Sequence, residues 1–156
     1  MKSIKVIFIA PIFFLLAACS SPGPMQQYGG PINTPVFEPI ALDLANDDSE
    51  HILFKESNVT MYENDSLERL LGGAFFITEN GVYLAYWNAQ TYQYSLTYKI
   101  KADEITKISD HTVVRDYLPD SDIVVITDKD NREIGFGISK RNAAKYSLEK
   151  IMKQNE

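Results

Sequence analysis

The stretch Gly73-Ala-Phe-Phe-Ile-Thr78-Glu-Asn-Gly-Val-Tyr83-Leu-Ala-Tyr-Trp87 decides the fold. Two runs, Gly73 to Thr78 and Val82 to Trp87, flank Asn80-Gly81. Asn-Gly accepts the positive φ values of a tight two-residue turn, so the runs are predicted to fold back on each other as a β-hairpin. After a second turn at Asn88-Ala89-Gln90-Thr91, the residues Tyr92, Tyr94, Leu96, Tyr98 and Ile100 alternate with Gln93, Ser95, Thr97 and Lys99. That period of two predicts a third strand with its aromatic face inward and its polar face outward.

Working outward, Ile52-Leu53-Phe54 opens a strand-like run toward Val59 and Tyr62. Asp65 to Leu71 reads either as a short helical turn or as the lead into the next strand. Glu104 to Ser109, with Ile105 and Ile108, gives another short strand, and Val113 to Tyr117 is a further strand or a loop. Ile123 to Ile126 suits a buried strand, Asp128 to Arg132 turns the chain, and Ile134, Phe136 and Ile138 alternate with small or charged residues. The period then changes. Ala144, Leu148 and Ile151 fall at i, i+4 and i+7 with Met152 beside them, one face of an amphipathic helix. Ser139 is its expected N-cap, and Lys150 and Lys153 stand where cations favour the helix dipole. The expected fold class is mainly β, about seven strands, with one C-terminal α-helix.

At the other end Lys2 and Lys5 precede Val6 to Ala18, thirteen uncharged residues. A bilayer-spanning helix needs roughly 20 apolar residues. The shorter run fits a signal-peptide core with small residues at its end. Leu16-Ala17-Ala18-Cys19 resembles a bacterial lipobox, and Cys19 is the one cysteine in the chain. The resemblance implies cleavage between Ala18 and Cys19 and acylation of Cys19. One acyl chain anchors only reversibly, whereas lipoproteins of this kind usually carry three. An Asp after the Cys retains many such proteins in the inner membrane. Ser20 and Ser21 stand here, so the outer membrane, facing the periplasm, is expected.

The chain therefore divides into a signal peptide (1–18), a lipidated Cys and Pro/Gly-rich tether (19–39) and a domain (40–156). Five of the seven prolines fall between 22 and 39, with Gly23, Gly29 and Gly30. Extended at about 3.1 Å per residue, such a tether reaches roughly 60 Å. Its first half is expected to be free and its last residues to dock through Val36, Phe37 and Ile40.

Gly73 to Tyr83 also resembles the pattern of GRAM and bacterial pleckstrin-homology (PH)-like domains, where a Gly starts a strand and a Thr closes it before a turn. Ala102-Asp-Glu-Ile105-Thr-Lys-Ile108 resembles a later segment of that pattern, Ile123 to Phe136 its next hairpin, and Asn142 to Met152 its closing helix. The resemblance runs from about residue 50 to 154. It implies a PH-like two-sheet β-sandwich, or partly open barrel, with the helix plugging one corner. Many PH-like domains hold phosphoinositides on a basic loop between their first two strands. The matching segment here, Glu56 to Gly72, sets Glu56, Glu63, Asp65 and Glu68 against Arg69 alone, so phosphoinositide is not the expected ligand. Peptide binding, protein docking and oligomerisation remain among the family's uses.

Loss of residues 1–18 leaves 13 basic against 21 acidic residues, a net charge of −8. With no basic cluster, nucleic acid is excluded as an expected partner. The acidity also opposes a globular part lying on anionic lipid. Ser109-Asp110-His111 has the residue types of a hydrolase triad, but neighbours in an extended chain point apart and cannot form the relay. His51 and His111 have no metal-ligand spacing, and Asp128-Lys-Asp130-Asn131-Arg-Glu133 lacks the glycine and distal glutamate of a calcium loop. No catalytic residue, metal or cofactor is expected.

The aromatic residues offer the one candidate surface. Tyr83 and Trp87 share one face of their strand, and Leu84 and Tyr86 share the other. Tyr92, Tyr94 and Tyr98 are expected to pack inward. Trp87, with Tyr83 and Tyr86, is the expected contact surface. The leading expectation is a non-enzymatic protein- or peptide-binding module. The alternative is a cell-wall glycan-binding module using those rings.

Overall fold

The computed structural model describes residues 22–63, 68–114 and 119–154, with the backbone alone at 68–72. Ala18, Cys19 and the signal peptide lie outside the described residues, as do Asp65 and most of Val113 to Tyr117. A 3₁₀ turn, Pro24–Gln26, leads to helix α1, Phe37–Ala45. Seven strands follow: β1 Phe54–Glu63, β2 Glu68–Ile77, β3 Gly81–Asn88, β4 Gln93–Lys101, β5 Ile105–Val113, β6 Ser121–Asp128 and β7 Glu133–Gly137. Helix α2, Arg141–Gln154, closes the chain.

The strands form one antiparallel sheet in the order β4-β3-β2-β1-β7-β6-β5. β1 bonds β2 on one side and β7 on the other, so it joins the β2–β4 half to the β5–β7 half. Both halves contribute to one core. Phe75, Leu84, Val124 and Phe136 pack there with Ala144, Leu148 and Ile151, the apolar stripe of α2. This is the expected mainly-β, PH-like open barrel with a capping C-terminal helix.

The hairpin at Asn80-Gly81 forms, but not through positive φ. Neither residue adopts it. The Thr78 hydroxyl instead accepts the N–H groups of Asn80 (3.1 Å) and Gly81 (3.2 Å). Gly81 is needed because a Cβ there would collide with the Ile100 carbonyl oxygen of β4.

The long alternating run of β4 is also broken. Leu84 pairs with Tyr98 but Ala85 pairs with Leu96, so Thr97 is an extra residue in the ladder. Such a bulge moves the side chains after it to the other face. Tyr94 and Leu96 therefore pack outside the sheet, while Tyr98 and Ile100 pack in the main core.

α2 begins two residues beyond the expected cap. The Ser139 N–H donates to Glu56 Oε1 at 2.6 Å and the Lys140 N–H to Oε2 at 3.0 Å. A carboxylate from β1 thus satisfies donors at the helix start and complements its dipole. Glu56→Ala is expected to cost about 1 kcal/mol, within the range of lost helix caps, read as a lower urea midpoint. An unchanged midpoint would show that water replaces the carboxylate without loss.

The expected tether is the main correction. The segment is tied to the domain instead: the Met25 and Gly29 carbonyls accept hydrogen bonds from Trp87 and Tyr94, and Ile32 and Phe37 are buried. β3 carries apolar side chains on both faces, with Val82 and Leu84 in the main core and Tyr83, Ala85 and Trp87 outside it. That outer face needs a cover. Ile32 and, from α1, Phe37, Ala41 and Ala45 provide it, packing on Phe76 and the outer side chains of β3 and β4. Pro39 does not break α1 because it sits in the first turn, where no intrahelical N–H bond is lost. Of the three expected docking residues, Phe37 is buried, whereas Val36 and Ile40 are exposed.

Candidate functional site

Trp87 is 4% exposed, and its indole N–H donates to the Met25 carbonyl at 3.0 Å. Its ring lies 4.6 Å from that of Tyr94, whose hydroxyl donates to the Gly29 carbonyl. Gly30, at φ +60°, lies so close to the indole that a Cβ would enter the ring. Tyr83 is buried too, stacked on Phe76 at 4.9 Å. Tyr86, on the opposite face of β3, is half-buried. The three residues expected to form a contact surface are therefore not one platform. Two of them are the bed on which the N-terminal segment lies. Of the tyrosines expected inside, Tyr94 is buried and Tyr98 half-buried, but Tyr92, in the β3–β4 turn at φ +54°, is exposed.

A polar junction that the sequence did not announce sits where α1 ends. Asn46 closes the helix in the left-handed conformation, and Asp47 follows. The Asp47 carboxylate accepts hydrogen bonds from the Tyr83 hydroxyl (2.5 Å), the Thr78 hydroxyl (2.7 Å), the Asn80 side-chain amide (2.9 Å) and the Ser49 N–H (2.9 Å). Burial pushes this carboxyl upward. The hydrogen bonds, led by that of Tyr83, outweigh it and hold the group far below the usual carboxylate range. Burial and the same carboxylate raise the Tyr83 phenol well above its ordinary value. Lys99 Nζ donates to the Ala45 carbonyl at 2.6 Å and stands 5.5 Å from the Tyr83 ring centre. In sequence Asp47-Asp48-Ser49-Glu50 has the composition of a solvated loop. Nothing in it marks its partners Thr78, Asn80 and Tyr83, which lie 31 to 36 positions away.

A cavity of about 520 Å³ lies between β4 and the β6–β7 turn. Met61, Tyr98 and Ile134 supply apolar walls, while Lys99, Glu104 and Lys129 stand among the charged groups lining it. Burial pushes the Tyr98 phenol above its ordinary range. Its ring meets Phe136 edge-on at 5.3 Å, so the cavity wall continues into the core. Asp128 shapes the turn beside the cavity. It accepts the N–H groups of Asp130 (2.8 Å) and Arg132 (2.9 Å), and Arg132 Nε at 2.7 Å. The backbone bond from Arg132 is the leading cause of its lowered pKa. The segment is a charged hairpin turn, its carboxylate engaged by its own backbone and Arg132.

Ser109 and His111 face one side of β5 and Asp110 the other, where it binds Lys145 of α2 at 2.6 Å. Among the described residues, no three His, Cys, Asp or Glu side chains group to hold a metal ion. His51 Nδ1 lies 3.1 Å from Glu38 Oε1, which also accepts the Ile52 N–H at 3.0 Å.

No family model matches the chain, and no curated protein matches it. Solved structures do. The chain is similar to a Vav1 chain inhibited by an allosteric inhibitor, with a TM-score of 0.51 at 10% identity. That match covers 70% of this chain and 28% of the Vav1 chain. The likeness is one of fold alone. A second similar structure is the C-terminal domain of an unknown protein from Leishmania infantum, with a TM-score of 0.46 at 19% identity over 75% of this chain and 94% of that one. Among the described residues, no helix is long and apolar enough to cross a membrane.

Proposed function

We propose that this chain is a lipid-anchored lipoprotein of the cell envelope, attached to the outer membrane through acylated Cys19. Its PH-like body is a non-enzymatic module that binds a protein or peptide in the cavity between β4 and the β6–β7 turn. The observation that carries the binding reading is the make-up of that cavity: apolar walls from Met61, Tyr98 and Ile134 under a rim charged with both signs. Apolar walls supply affinity and a few charged groups supply orientation, the usual division of labour in a binding pocket. The lipobox at Leu16 to Cys19 supports the anchor, and the acidic surface favours a partner with basic patches.

Radiolabelled palmitate is expected to enter the wild-type chain and not a Cys19→Ser variant, which would mislocalise. A partner captured from the envelope and then purified tests the cavity. Thr97, exposed on β4, lines it, and Thr97→Arg would occupy it. That variant is expected to bind at least tenfold more weakly with an unchanged melting midpoint, and wild-type affinity is expected to fall as salt rises. Equal binding by the two proteins would remove the cavity from the proposal, and salt-independent binding would remove its electrostatic part.

A further inference from the structure

Two uncharged stretches of the chain meet at one end of the domain. Residues 20–37 contain no Asp, Glu, Lys or Arg, and neither do residues 80–98. The structure joins them through the Trp87–Met25 and Tyr94–Gly29 hydrogen bonds. Apolar side chains are exposed where they meet: Met25 at 38%, Tyr28 at 55% and Tyr92 at 49%. Met25 and Tyr92 line one shallow pocket with Pro24, and the Tyr92 ring lies 6.5 Å from Trp87.

The position of this end relative to Cys19 gives it a meaning. Met25 is pinned to Trp87, and only six peptide units separate it from Cys19. Fully extended, they reach about 20 Å, a third of the reach of an unfolded 19–39 tether. An acylated Cys19 would therefore hold the Met25–Tyr92 end against the bilayer. Tyrosine is suited to the membrane–water boundary, where its ring is buried and its hydroxyl stays wet. The like-charge repulsion expected between a net −8 domain and anionic lipid applies to its other surfaces, since these two stretches bring no charge to the contact.

We infer that the domain rests on the membrane interface through Met25, Tyr28 and Tyr92, in one orientation. The inference rests on the acylation of Cys19 proposed above. It places Tyr98, which lies inside β4 six positions beyond Tyr92, up to about 20 Å farther from the lipid, so the binding cavity lies away from the membrane.

Trp87 is the one tryptophan in the chain and reports directly on this contact. Full-length protein extracted from its envelope would be placed in vesicles of phosphatidylethanolamine and phosphatidylglycerol. The vesicles would carry a nitroxide quencher either in the headgroup or at the acyl-chain end. The headgroup quencher is expected to reduce Trp87 fluorescence at least twofold more than the deep one. Tyr92→Glu, and separately Gln90→Glu with Thr91→Glu on the exposed turn, are expected to weaken that quenching while the protein still floats with the vesicles. Protein that floats but shows weak, equal quenching by both lipids would overturn the seated orientation and leave the anchor standing. Protein that does not float lacks the anchor, and both readings fall.

Discussion

Trp87→Ala is expected to destabilise the chain by about 3–5 kcal/mol, the cost of truncating a large buried aromatic. The indole is enclosed by Gly30 below and Tyr94 beside, and its N–H is spent on the Met25 carbonyl. Removing it opens a cavity and orphans that carbonyl together. The substitution also detaches the N-terminal segment from the outer face of β3 and β4, leaving Phe76 and Tyr94 partly uncovered. A surface ring serving as a glycan platform would behave differently, since most exposed substitutions stay within about 0.5 kcal/mol. Urea unfolding followed by far-ultraviolet circular dichroism separates the two cases, and the loss of the sole tryptophan does not disturb that readout. A variant as stable as wild type would mean that the segment from Pro24 to Gly30 does not pack on the sheet.

The same residues mark where sequence reasoning succeeds and where it stops. The β2–β3 hairpin and the Ala144-Leu148-Ile151 stripe of α2 were legible because both are local: a turn residue or a helical period acts within a few positions. The N-terminal segment was not, because proline and glycine are shared by extended linkers and by folded chain that must turn often. Gly30 is there for close approach to an indole 57 positions away in sequence, between residues 30 and 87. Pro39 is compatible with a helix only in its first turn, and nothing local marked that turn. The bulge at Thr97 was hidden by an unbroken alternation from Tyr92 to Ile100, since a period of two looks the same whichever face each half of the strand uses. One signal did point to the buried outer face. Tyr83, Ala85 and Trp87 alternate with Val82 and Leu84, and a strand apolar on both sides demands a cover on both.

The cavity and the Asp47 junction were illegible for a different reason. Each is assembled from elements far apart in the chain, and charged residues in a loop have the same appearance whether solvated or bonded across the fold. Glu56 is the plainest case. In sequence it belongs to an acidic segment that disfavours phosphoinositide, yet in space it caps α2 across 83 positions.

Asp47→Ala is expected to cost about 2–3 kcal/mol at neutral pH, because hydrogen bonds to a charged acceptor contribute more than neutral ones and their buried donors would be stranded. The Tyr83 and Thr78 hydroxyls would lose the same partner at once. The pH dependence gives a sharper signature. The carboxyl of Asp47 is held far below its usual value in the folded chain, so the unfolded chain binds the proton more readily. Its contribution is then fully present above the ordinary Asp pKa of about 4 and is lost as pH falls below it, toward the depressed folded value. Wild type and Asp47→Ala are therefore expected to differ most near neutrality and to converge in acid. Asp47→Asn, which keeps an oxygen acceptor but cannot titrate, should fall between them near pH 7 and lack the acid-dependent slope. Parallel stability curves for wild type and Asp47→Asn between pH 2 and 5 would mean that the carboxylate is solvated, and that α1 is held to the β2–β3 hairpin by its apolar face alone.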